Sequence, residues 1–265
     1  MSYISKIKVK TVIDDKNYDS FLHDDNDEFG KGYGIRDYGA APLGTFGDTF
    51  PKKLYIDSTL WPEMIEMADK NKAQPFHHKQ LDGFDSLNQS NTNYCWGNAV
   101  IQGIHYLRAM NGLPHVPLSP ASVCAPIKRY KNQGGWGSQA LKYCVDHGVV
   151  PQSMWPANSR DKKYNNEETK AIRKEYQVNE FYELPDRSFH ALVSCLLRGW
   201  PVAIGLNWWR HEVLACGVHI KGSDPESDTV VEIDNSWGTG WGDNGHGILV
   251  RAKATPDEAV CARVI

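Results

Sequence analysis

Near residue 200 the hydrophobic pattern of this chain changes period, and no other feature restricts its fold as much. Upstream, apolar residues recur at helical spacing. Trp96, Ala99, Val100, Ile104, Leu107 and Met110 follow Cys95, and Gly112 supplies a stop. A second helix is expected over 138–147, capped by Ser138 and closed by Gly148. A third opens at Asp186 or Ser188, carries Phe189, Leu192, Val193 and Leu196 on one face, and ends at Gly199-Trp200-Pro201. Downstream the pattern is that of strands, so 202–206, 212–220, 229–233 and 247–252 read as strands, with 222–228 as a turn. Helices first and an antiparallel sheet afterwards make an α+β chain with two lobes.

A length of 265 residues allows one large domain or two modest ones. The first 70 residues read differently from the rest. Asp14, Asp15, Asp24, Asp25, Asp27 and Glu28 precede a glycine- and aromatic-rich stretch, 30–50, that has no period. The runs 4–12 and 54–56 suit short strands. A helix is expected over 58–68, with Ser58 as N-cap and Leu60, Met64 and Met67 on one face. Residues 1–72 are therefore expected to form an arm of unknown role. The body is 73–265, with a helical lobe at about 85–185 and a β lobe at about 186–258.

A net charge of -3 without any basic run argues against nucleic acid as a partner. No apolar run approaches the roughly 20 residues of a membrane span. The start, Met-Ser-Tyr-Ile-Ser-Lys-Ile-Lys-Val-Lys, interleaves charge with apolar residues and lacks the apolar core of a secretory signal. A non-secreted protein of the cytoplasm or another reducing compartment is the expectation.

The chemistry concentrates in two places. In Asn88-Gln89-Ser90-Asn91-Thr92-Asn93-Tyr94-Cys95-Trp96, a polar loop delivers a cysteine to the first turn of an amphipathic helix. Unsatisfied N–H groups and the helix dipole there favour a thiolate, the nucleophilic form. Gln89 lies on the same loop, where its amide can donate to a developing oxyanion. Further on, His211 stands at the head of an alternating strand, and Asn235 ends another before the turn Ser236-Trp237-Gly238-Thr239-Gly240-Trp241-Gly242. A cysteine nucleophile needs a base, and the base needs an orienting partner. Cys95, His211 and Asn235 supply these from distant parts of the chain, as a site between two lobes requires.

With these residues the chain resembles the papain-like cysteine proteases, over roughly residues 75–255. The block from Asn235 to Gly245 carries the family's asparagine motif almost unaltered, and the spacing of Gln89 to Cys95-Trp96 matches its glutamine and nucleophile. Gly134-Gly135-Trp136 resembles the glycine pair that holds an extended substrate in β-like pairing. The resemblance implies a two-lobed fold with a cleft between a helical left lobe and a β-sheet right lobe. It also implies that Cys95 attacks, His211 carries the proton, Asn235 orients His211, and Gln89 with the Cys95 N–H stabilises the oxyanion. Trp237 would shield the histidine–asparagine hydrogen bond. The implied partner is a peptide or protein substrate, with neither cofactor nor metal.

The departures are specific. Thr92 and Asn132 stand where the family has the two halves of a disulfide, and Cys124 resembles a bridge cysteine that has no partner in 155–164. With Cys95 kept free, five cysteines cannot all pair, and the expectation is no disulfide. Asn93 and Tyr94 replace a glycine and a small residue, and a tyrosine there narrows the cleft. The segment between Pro201 and His211 is short, which trims one wall. Cys144, Cys195 and Cys216 read as core, His219 as strand interior, and His77-His78 as a surface loop. The acidic residues 24–28 read as a solvated loop. Trp208 and Trp209 suit either cleft wall or core. Two alternatives stay open beside peptidase activity. One is hydrolysis of peptidoglycan cross-links; the other is an assembly or virion-structural role, with residues 1–70 docked on a partner.

Overall fold

The computed structural model describes residues 3–22 and 31–265, so the acidic run 24–28 lies outside the described residues. The strands are β1 (Val12–Ile13), β2 (Asp48–Thr49), β3 (Glu180–Glu183), β4 (Val202–Leu206), β5 (His211–Ile220), β6 (Thr229–Asp234), β7 (His246–Val250) and β8 (Glu258–Val264). They form one sheet in the order β1-β7-β6-β5-β4-β8-β3-β2. From β7 to β3 every pairing is antiparallel, whereas β1 joins β7 and β2 joins β3 in parallel.

The helices are α1 (Trp61–Lys70), α2 (Pro75–Asp82), α3 (Cys95–Met110), α4 (Ala121–Ile127), α5 (Gly137–His147), α6 (Glu167–Ile172), α7 (Phe189–Leu196) and α8 (Arg251–Ala254). Ser188 caps α7 by accepting the Ala191 N–H, as its position before an apolar run predicts. Every residue of β5 is buried. Val213, Ala215, Val218 and Ile220 face α1 and α7, while Leu214 and Cys216 face Phe76 of α2 and Tyr106 of α3. Cover on both faces explains why this strand shows little polar alternation. A second core joins α3, α4 and α5 around Trp96, Ile101, Leu141 and Trp155.

The described residues among the first 72 are woven into this body. Ile13, Phe50, Ile56, Trp61 and Ile65 are buried in the same core as α7 and β5. Several local expectations change there. Of the run 4–12 only Val12 pairs, in the two-residue strand Val12–Ile13, and the run 54–56 begins on the last residue of a 3-10 turn, Lys52–Leu54. A 3-10 turn at Ser58–Leu60, capped by Asp57 and not by Ser58, precedes α1 and shifts its phase. Trp61 and Ile65 therefore face inward, leaving Leu60 and Met67 exposed. His77 and His78 lie on α2, not in a loop. The last predicted strand stops at Val250, where α8 begins.

Candidate active site

The loop ahead of α3 is fixed by hydrogen bonds where the family resemblance implies a disulfide. Asn132 Oδ1 accepts the Asn93 N–H at 2.7 Å, and Asn132 Nδ2 donates to the Asn91 carbonyl at 3.1 Å. Tyr94 does not narrow the cleft. It is buried in the helical lobe, edge-on to Trp96, and its hydroxyl donates to the Lys131 carbonyl at 2.9 Å.

Cys95 is the first residue of α3 and has no exposed surface. Burial, with the nearby Glu212 carboxylate, pushes its thiol up to about 12, although backbone groups of Glu212, Gly32 and Trp96 oppose the shift. In this closed arrangement desolvation outweighs the helix terminus, so the sulfur is a protonated thiol. Gly32, a residue of the arm, is thus a neighbour of the sulfur.

His211 opens β5 and is equally buried. Its Nε2 lies 2.8 Å from Asn235 Oδ1, which also accepts the Ser236 N–H at 2.8 Å. An amide oxygen only accepts, so Nε2 carries the proton and Nδ1 is the basic nitrogen. Nδ1 is buried and has no hydrogen-bond partner among the described residues. The Trp237 ring lies over the imidazole with centroids 4.7 Å apart, and Trp209 meets it edge-on at 5.1 Å. Burial pulls its pKa down to about 3; the Asn235 hydrogen bond opposes this and the Lys31 charge adds to it. Gln89 is tied to the asparagine block: Ser236 Oγ donates to its Oε1 at 2.5 Å, and its Nε2 donates to the Thr92 carbonyl at 2.8 Å.

Gly134 and Gly135 already hold a peptide, and it is the chain's own. Gly135 donates to the Gly32 carbonyl at 2.9 Å and accepts the Gly34 N–H at 3.2 Å, so Tyr33 pairs with Gly135 in parallel. Trp136 Nε1 donates to the Gly34 carbonyl at 2.8 Å. A side chain at Gly134 would meet the Gly32 carbonyl at 2.2 Å, so the approach requires glycine there. Residues 31–36 form a strap across the site. The wall trimmed by the short turn 207–210 is made up by the arm. Trp209 Nε1 donates to the Phe21 carbonyl at 2.9 Å, and Tyr18 stands edge-on to Trp208, which stacks on Trp209 at 5.2 Å.

The strap is anchored by residues that no local sequence signal marks. Arg36 is 6% exposed and pairs with Glu183 at 2.9 Å and Glu258 at 2.8 Å, partners 147 and 222 positions away. Such separations leave no local pattern to read.

A cavity of about 520 Å³ lies elsewhere, beside Lys79, Glu232 and His246. Cys216, Glu232 and His246 come close enough to share a metal ion. Yet His246 Nδ1 already pairs with Glu232 at 2.8 Å, and the Lys79 ammonium lies 3.1 Å from its Nε2. A resident cation of this kind suits a hydrogen-bonded cluster better than a metal centre. Among the described residues no helix is long and apolar enough to cross a membrane.

The profile of the papain family cysteine proteases matches residues 84–262. A cathepsin L-like protein of Caenorhabditis elegans is 26% identical over a 239-residue alignment that covers 78% of this chain and 66% of that protein. The chain thus spans just under two thirds of that relative's length. Digestive procathepsin L 3 of Tenebrio molitor superimposes with a TM-score of 0.59 at 17% identity, covering 97% of this chain and 84% of that one. Xylellain, a cysteine protease from Xylella fastidiosa, gives a TM-score of 0.55 at 16% identity, covering 99% and 100%. At these identities the structural matches show the α+β, two-lobed fold.

Proposed function

Because the chain belongs to the papain family of cysteine proteases, we propose that it hydrolyses peptide bonds through Cys95, His211 and Asn235, and that the described form is latent. His211 Nδ1 takes the Cys95 proton, and the sulfur attacks the scissile carbonyl. The tetrahedral oxyanion is met by the Cys95 N–H and the Gln89 amide. The protonated imidazole then gives its proton to the leaving amine, and water attacks the acyl-enzyme to restore the thiol. Asn235 holds the ring with Nδ1 as the base, and Trp237 keeps water from that hydrogen bond. Gly134, Gly135 and Trp136 seat the extended substrate.

One observation carries this reading: Gly135 pairs through both its N–H and its carbonyl with an extended segment of the chain's own backbone, beside the buried thiol. The strap fills the substrate's place, so substrate must displace residues 31–36 or meet a chain cut within them. The buried state of Cys95 also favours a second reading, a papain-fold assembly protein with weak or no turnover, whose partner engages residues 1–70. A reducing compartment belongs to the first reading, supported by the Asn132 hydrogen bonds that stand in for a bridge.

The test uses purified full-length protein with reductant, before and after limited proteolysis of the arm. Casein and cell-wall zymograms distinguish protein from peptidoglycan substrates. Cleavage that appears on nicking and vanishes in Cys95→Ala is the expected outcome. Equal cleavage by Cys95→Ala contradicts the assignment, and none after nicking favours the assembly reading.

A further inference from the structure

The strap shows where one substrate side chain would go. Tyr33, centred on the Gly135 pairing, sends its ring against the backbone of Gly205 on β4; a side chain at Gly205 would lie 2.2 Å from that ring. Glu212 of β5 and Glu258 of β8 face the same phenol, and both raise its pKa behind the larger effect of burial. Glycine at 205 and at 137 leaves room between these walls, since a side chain at Gly137 would strike Glu212 Oε1 at 2.1 Å.

The polar groups of this pocket do not match its occupant. Glu212 uses Oε2 to accept the Gly137 N–H at 3.1 Å. Glu258 uses Oε1 for Arg36 Nη1 at 2.8 Å, for Ser138 Oγ at 2.6 Å and for the Ser138 N–H at 3.2 Å. Among the described residues, Glu212 Oε1, Glu258 Oε2 and the Tyr33 hydroxyl are all buried without a hydrogen-bond partner. Glu183 differs, because its oxygens accept from Arg36 and from the backbone N–H groups of Gly44, Phe46 and Gly47. Unmet oxygens of this kind are costly when buried, and a donor that reached both would recover that cost. A phenol brings one proton and no charge. An ammonium or guanidinium brings several donors and a charge opposite to two carboxylates.

We propose that the Tyr33 pocket is the specificity subsite of the open enzyme and that it takes a lysine or arginine side chain, held by Glu212 and Glu258. This rests on the peptidase reading above and names its substrate class: peptides with a basic residue where Tyr33 now lies. Tyr33 is then an ill-matched plug, which a basic peptide displaces. Burial raises the pKa of both carboxyls while the strap is closed, against the opposing pull of Arg36 and of the Gly137 and Ser138 donors.

The experiment uses the full chain carrying Tyr33→Ala, which empties the pocket but leaves both carboxylates. Fluorogenic tetrapeptide amides are scanned position by position with Arg, Lys, Leu, Tyr and Glu. At one position the kcat/KM ratio of Arg or Lys to Leu should exceed about tenfold, the discrimination expected of hydrogen bonds to charged groups. Adding Glu258→Gln or Glu212→Gln should bring that ratio towards one. A ratio is insensitive to the amount of folded protein, so a poorly folding variant does not mimic the result. The same peptides, labelled, are titrated by fluorescence anisotropy into Tyr33→Ala with Cys95→Ala. Basic preference in binding without cleavage by the Cys95 protein would contradict the peptidase reading and leave the subsite standing. Cleavage with apolar preference unmoved by the glutamine variants would overturn the subsite, as would binding of no peptide.

Discussion

Behind the sheet, Glu232 and Asp234 have both oxygens met by donors from the body itself; under the strap, Glu212 and Glu258 each keep one oxygen with no donor among the described residues. Asp234 Oδ2 accepts from Lys79, Gln102 and Tyr106, each at 2.8 Å, and Ser86 holds its other oxygen. Glu232 pairs with His219 and with His246, each at 2.8 Å. Burial alone would raise both pKa values, yet partners prevail: His219 and His246 hold Glu232 down at about 2, and Lys79 leads the groups that lower Asp234. Glu212 and Glu258 move the opposite way, because burial dominates, and the Arg36 charge that opposes it is lent by the arm. Carboxylates with every oxygen met fix a fold, whereas those left with bare oxygens are suited to receive a ligand.

Substitution by glutamine separates the two clusters. Glu232→Gln removes a charge that two histidines are arranged around and should cost about 3 kcal/mol or more in urea unfolding, as broken buried pairs do. If it proves neutral, the contrast fails. Acid should act on the same side of the molecule. Glu232 has a folded pKa of about 2 against an ordinary 4.5, so its contribution is complete above pH 4.5 and is lost as pH falls towards 2. His105 is buried neutral with a pKa near 3 against 6.5, so the unfolded chain takes its proton first and stability declines from pH 6.5 towards 3. Unfolding midpoints measured from pH 7 to 2.5 should fall throughout; a flat profile below pH 4.5 would break the Glu232 assignment.

Smaller effects sharpen the picture. Asn132→Ala removes the ties to Asn91 and Asn93 and should cost about 1–2 kcal/mol by thermal melting. No change would mean that these hydrogen bonds do not replace the missing bridge. Glu212→Gln should shift stability by less than about 1 kcal/mol, because burial already raises the pKa of this carboxyl, one of its oxygens has no donor among the described residues, and glutamine keeps its shape. A loss as large as that of Glu232→Gln would show the two clusters to be alike.

Much of the body could be read from sequence. The helix α3, the cap at Ser188 and the strands β4 to β6 declare themselves through period and punctuation, and four polar residues stood out because nucleophilic chemistry needs their types. His211 meets Asn235, and Gln89 meets Ser236, through the sheet and loop that the pattern implied. The arm resisted reading for physical reasons. Its strands are two residues long, its 3-10 turn shifts the phase of α1, and Arg36 finds its carboxylates through tertiary contact alone. Tyr94 misled because its neighbour in sequence is the nucleophile candidate, while its ring turns into the helical lobe.

The central claim is that Cys95 is a nucleophile masked by residues 31–36, and its alkylation rate tests this most directly. Full-length protein and Tyr33→Ala are treated with a peptidyl epoxide that ordinary thiols ignore, and modification is located by intact mass and peptide mapping. Removing a buried ring relaxes closure by about 3 kcal/mol, so Cys95 labelling should rise by about 100-fold in Tyr33→Ala and be absent in Cys95→Ala. Equal rates in the two Cys95 proteins, or labelling at another cysteine, would contradict it.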